Sequence, residues 1–102
     1  MKYEVLVQPG AESEIEAALL YLRDEASLEI ADRWREELIE AIATLEEMPS
    51  RCPTAPEDAF FTEEIRHLLI RPYRVLFTVR GTKVHILHVR HMARHSLTRS
   101  DE

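Results

Sequence analysis

Apolar and polar residues alternate with a period of two over residues 2 to 8, around Tyr3, Val5 and Val7. That is the pattern of a short strand with one buried face, ended by Pro9-Gly10. The period then lengthens. Ile15, Ala18, Leu19 and Leu22 recur at helical spacing, and Ala31, Trp34, Leu38, Ile42 and Leu45 carry the stripe on to Met48-Pro49. Two amphipathic helices are predicted, with Trp34 in the core because it is in phase with Leu38 and Ile42. They break at Ala26-Ser27, where Ser27 can cap the second helix by accepting a backbone N–H bond, and so short a connection makes them antiparallel. Residues 49 to 62, with Pro49, Pro53 and Pro56, cannot continue a helix and read as a loop. Ile65 to Ile70, Tyr73 to Arg80 and Lys83 to His91 are rich in β-branched and aromatic residues and read as strands. Gly81-Thr82, with Gly first, suits a type II′ hairpin turn. The order β-α-α-β-β-β predicts an α+β fold. Two antiparallel helices pack on one face of a mainly antiparallel sheet, in a single domain spanning residues 1–102.

The turn sets a register. Arg80 opposes Lys83, Val79 opposes Val84, Phe77 opposes Ile86, Val75 opposes His88 and Tyr73 opposes Arg90. Val75, Phe77, Val79, Val84 and Ile86 then form an apolar face to lie beneath Trp34, Leu38 and Ile42. The opposite face carries Arg74, Leu76, Thr78 and Arg80 beside Lys83, His85, Leu87, Val89 and His91. No second helix pair remains to cover it. That face, or its end near Tyr73, Arg74, Arg90 and His91, is the expected working surface.

Composition bounds this picture. At 102 residues and 45% hydrophobic content, the chain suits one core and argues against disorder. A lone cysteine, Cys52, cannot pair within the chain and lies in a connecting stretch, so it reads as an incidental thiol in a reducing compartment. No apolar window approaches the roughly 18 residues of a membrane helix, so a cytoplasmic protein without membrane contact is expected.

Net charge is −6, which at first argues against gripping nucleic acid. Residues 1 to 59, however, hold five basic and fifteen acidic side chains, while residues 60 to 102 hold eight and four. All five histidines lie in the second part. The glutamates at 12, 14, 16, 36, 37, 40 and 47 and Asp24 read as solvated helix faces, and the strands as a basic, histidine-bearing surface. His85, His88 and His91, evenly spaced by three, invite a metal reading, but on a strand His88 points away from the other two. No metal or cofactor is expected.

The order of elements, Arg66-His67-Leu68, the run Tyr73-Arg74-Val75-Leu76-Phe77-Thr78-Val79, and Ile86-Leu87-His88-Val89-Arg90-His91 followed by Arg94 together resemble the RelE/ParE superfamily, the toxins of type II toxin–antitoxin modules. The resemblance spans essentially the whole chain. It implies a growth-arresting toxin neutralised by a cognate antitoxin. The target is either messenger RNA on the ribosome, cut by a metal-independent endoribonuclease, or DNA gyrase, poisoned by binding. For RNA cleavage, Arg74 resembles the arginine that stabilises the developing phosphorane charge, and His91, or else His88, would move the proton, with Arg90 beside them. Arg66, Tyr73, Arg80, Lys83, His88 and Arg94 would bind substrate or partner. The basic pair that RelE-type nucleases carry ahead of this arginine has no counterpart: Phe60-Phe61-Thr62-Glu63-Glu64 is acidic, and no tyrosine follows Tyr73. Three alternatives stay open. Arg74 also reads structurally, as a sheet-face arginine paired with Glu63 or Glu64; either target fits the residues; and an inactive module that only binds an antitoxin-like partner is the third reading.

Overall fold

The structure is a computed structural model that describes residues 2–92 and, of Phe60, the backbone alone. Strand β1 (Glu4–Val7) is followed by helices α1 (Pro9–Glu25) and α2 (Leu28–Ala43) and then strands β2 (Arg66–Ile70), β3 (Tyr73–Arg80) and β4 (Lys83–His91). The four strands form one sheet in the order β1-β4-β3-β2; β1 runs parallel to β4 and the other pairs are antiparallel. The expected α+β architecture is present. No helix among the described residues is long and apolar enough to cross a membrane.

Local chemistry explains the boundaries. Pro9 starts α1 instead of separating it from β1, because a first-turn position needs no N–H and suits proline's fixed φ. Ser27 caps α2 as expected, its hydroxyl accepting from Ile30 N–H at 3.1 Å. The apolar stripe outlasts the helix: α2 ends at Ala43, and a short 3-10 turn (Thr44–Glu46) carries Leu45 into the core. Gly81 has φ +61 and Thr82 does not have a positive φ, the combination that a type II′ turn requires.

Ala11 and Ala18 of α1 and Trp34 and Leu38 of α2 bury against Tyr73, Val75, Phe77, Val84, Ile86 and Val89. Trp34 and Tyr73 meet with ring centroids 4.8 Å apart.

Two expectations about the sheet fail. The pairing follows the turn through Phe77↔Ile86, but the next pair is Leu76↔His88, so Leu87 is an extra residue and β4 carries a β-bulge. Beyond it the pairs are Val75↔Val89, Arg74↔Arg90 and Tyr73↔His91. Because side chains alternate, this one-residue slip exchanges faces. Val89 and His91 turn to the helix side, and His88 and Arg90 go to the other side. The driving term is burial: without the bulge Val89 would leave the core, where it is 4% exposed.

The second failure concerns the outer face, which is not open. The segment between α2 and β2 first bridges the edge of β2, with Thr54 opposite Arg66, and then folds across the sheet through a 3-10 turn (Pro56–Phe60). Ala55, Ile65 and partly buried Phe61 enclose Leu76 and Leu87 in a second apolar cluster. Leu76 lies on the outer face, and a leucine there must be covered by something.

Candidate functional site

Arg74 occupies the middle of the outer face yet is 8% exposed, and Glu57, on the crossing segment, is 0% exposed. Their side chains form a two-pronged ion pair: Arg74 Nη1 donates to Glu57 Oε1 at 2.9 Å and Nη2 to Oε2 at 2.5 Å. The bond to Glu57 raises the Arg74 pKa against the opposing effect of burial. The partner is Glu57 and not Glu63 or Glu64.

Those two carboxylates serve the neighbouring arginines. Glu63 holds Arg80 through two contacts at 2.5 and 2.6 Å, and its bond to Arg80 lowers the Glu63 pKa. Glu64 holds Arg66 at 2.9 Å, and Arg66 also donates to the backbone carbonyl of Cys52. Lys83 stands 4.0 Å from Glu4. The acidic stretch that breaks the nuclease pattern in the sequence thus takes Arg80 on the outer face and Arg66 on the edge strand, while Arg74 goes to Glu57.

The expected catalytic set is divided by the sheet. Arg74 and Arg90 share the outer face as a cross-strand pair. His91 lies with Tyr73, edge-on at 5.1 Å between ring centroids, in the layer that faces the helices. The Arg90 Nε and His67 Nδ1 atoms are buried without a hydrogen-bond partner among the described residues. Burial, with the charge of Arg74 adding to it, lowers the His67 pKa. Burial also raises the Cys52 thiol, so it is not poised as a nucleophile. The bulge changes the histidine geometry as well: His85 and His88 now share a face and His91 opposes them. Among the described residues no three His, Cys, Asp or Glu side chains converge as metal ligands would. Arg94 lies outside the described residues.

His88 leads to a residue that the sequence reading placed on a solvated face. Past Ile86, β4 has no β1 neighbour, and Glu14 of α1 closes this edge. Glu14 Oε1 accepts from Val89 N–H at 2.9 Å and lies 3.2 Å from His88 Nδ1. Burial raises the Glu14 pKa, but the hydrogen bonds from His88 and Val89 and the charges of His88 and Arg90 outweigh it, and the net shift is downward. Beside Glu14, a groove of about 490 Å³ opens between α1 and the end of β4, lined by Ala17, Ala18, Tyr21, Tyr73, Val89 and His91. Tyr21 is 58% exposed at its rim. Of this groove the sequence reading had only Tyr73 and His91. Glu57 carried no signal beyond its acidity; Glu14 had one, its position four residues before Ala18 on the inward side of the helix.

Comparison with known proteins is consistent with this geometry. The family described as ParE toxin of type II toxin-antitoxin system, parDE, matches residues 5–95. A solved structure described as a chromosomal ParDE TA system from P. aeruginosa superposes with a TM-score of 0.74, at 16% identity, over 88% of this chain and 96% of its own. No curated protein matches the sequence. The family match covers nearly all the described residues, and the chain belongs to the ParE toxin family of type II toxin–antitoxin systems.

Proposed function

We propose that this chain is the toxin of a type II toxin–antitoxin pair that arrests growth in the cytoplasm by binding and poisoning DNA gyrase, and that a cognate antitoxin neutralises it. The observation that carries this choice of target is the Glu57–Arg74 pair. Metal-free RNA cleavage needs a cation at the scissile phosphate and a proton carrier within reach of the same phosphate. Here the guanidinium is directed at a buried carboxylate, His91 stands on the other side of the sheet, and His88, which shares the outer face, is engaged by Glu14 at the edge of β4. A toxin that acts by binding needs neither group. It needs a stable surface, and a buried two-pronged ion pair that ties the crossing segment to the sheet supports one. The groove beside Tyr21 and Tyr73 offers an amphipathic antitoxin segment an apolar seat.

The test is induction of the chain alone, beside a Glu57→Leu/Arg74→Met double variant. The double variant exchanges the ion pair for apolar groups of similar volume and so spares the fold. Arrest by both proteins, with intact transcripts and altered supercoiling, is the expected outcome. Cleaved transcripts, lost in the double variant, would move the assignment to ribonuclease. Soluble chain without arrest would leave only a module that binds its antitoxin.

A further inference from the structure

Helix α2 presents a second stripe besides the one it buries. Leu28, Asp32, Arg35 and Ile39 are spaced four, three and four residues apart, which aligns them along one side of the helix. Leu28 is 61% and Ile39 55% exposed, in contrast to Ala31, Trp34 and Leu38 on the core side. Asp32 and Arg35 are exposed too, and among the described residues neither makes a hydrogen bond or an ion pair.

The stripe has the same form from either end: apolar, charged, charged, apolar, with the two charges opposite in sign. Laid antiparallel on a copy of itself about a twofold axis, it brings Leu28 against Ile39 of the second copy and Asp32 against Arg35 of the second copy. Every contact then occurs twice, as an isologous interface demands. A parallel arrangement would instead place Asp32 on Asp32 and Arg35 on Arg35. The charge order therefore selects one orientation, and the four-three-four spacing is that of a helix-pair seam.

We propose that α2 is a contact surface for a second copy of this chain, formed as an antiparallel helix pair in this register. Glu29 and Glu36 flank the stripe and would face each other across the axis, and each copy carries −6 overall, so the association is weak. One helix strip is also smaller than a standard interface, which sets the dissociation constant at roughly 100 µM.

Sedimentation velocity of the full chain over a concentration series measures it. A monomer–dimer equilibrium is expected, weakened about tenfold by Asp32→Arg or by Arg35→Asp, because each change creates two like-charge contacts. The double variant Asp32→Arg/Arg35→Asp restores the dimer, since inverting both charges preserves the complementarity. Mild oxidation of a Leu28→Cys/Ile39→Cys variant links position 28 of one copy to position 39 of the other, as read by mass spectrometry. A chain that stays monomeric up to about ten times that concentration overturns the proposal. So does a dimer indifferent to the single charge changes, which would place the contact elsewhere, or one that the double variant fails to restore.

Discussion

The two faces of the sheet are held by different physics. On the helix side, Val75, Phe77, Val84, Ile86 and Val89 meet Ala18, Trp34 and Leu38, and stabilisation comes from apolar area removed from water. That force is non-directional, so any residue of the right character at the right period contributes. On the outer side, Arg74 and Arg80 are each matched to one carboxylate of the segment from residue 57 to residue 64. Those contacts are directional and depend on which acid reaches which base. The helix face is one apolar layer, and the outer face combines a small apolar cluster with individual ion pairs.

This contrast can be broken most sharply at its two ends. Trp34→Ala should cost about 3–5 kcal/mol on the helix side by opening a cavity under α2, read as a lower urea midpoint at unchanged slope. On the outer side Arg74→Ala should cost a similar amount, roughly 3–5 kcal/mol, because it takes the two-pronged cation away from the buried Glu57 carboxylate. The mechanisms separate in the double variant, where Glu57→Leu with Arg74→Met recovers most of that loss. A Trp34 cavity has no such rescue. Full stability of Arg74→Ala alone would mean that Glu57 is not buried as described.

Glu14 sits where the two faces meet, at the open edge of β4. Replacing it with Gln removes a charge-assisted bond to Val89 N–H and should cost about 1–2 kcal/mol near neutral pH. Its sign with pH follows from the direction of the shift. The folded-state pKa lies below the ordinary value of 4.5, so the carboxylate's contribution is fully present above that value. It is lost as pH falls through the folded pKa. Urea midpoints of wild type and Glu14→Gln should therefore converge on acidification; a gap that is constant with pH would show that the charge is not what Glu14 supplies. The smallest effect belongs to Glu63→Gln. Its pair with Arg80 is solvent-exposed, and the midpoint should not move measurably.

The site was less legible than the fold, for a reason visible in single residues. The bulge at Leu87 leaves a trace in the sequence: the apolar positions Val84 and Ile86 are followed by Val89 and not by residue 88, so the period of two breaks there. A strand extended from the turn by simple counting misses it and sends His91 to the face of Arg74. Glu57 leaves no such trace, being 17 residues from Arg74 and one acid among several. Splitting the charge along the chain correctly located the basic residues but not their state, since linear charge counts cannot register an ion pair closed by tertiary contact.

By itself the sequence determined the order of elements, the Ser27 cap, the glycine turn at Gly81 and the apolar stripe that carries Trp34. Those follow from local conformational preference and from periodicity, which act over a few residues. Tertiary structure alone decided that the proline-rich connection crosses the sheet, that Glu57 takes Arg74, that Glu14 seals β4, and that Arg74 and His91 stand on opposite sides. These depend on directional contacts between groups far apart in the chain, and a directional contact has no period to read.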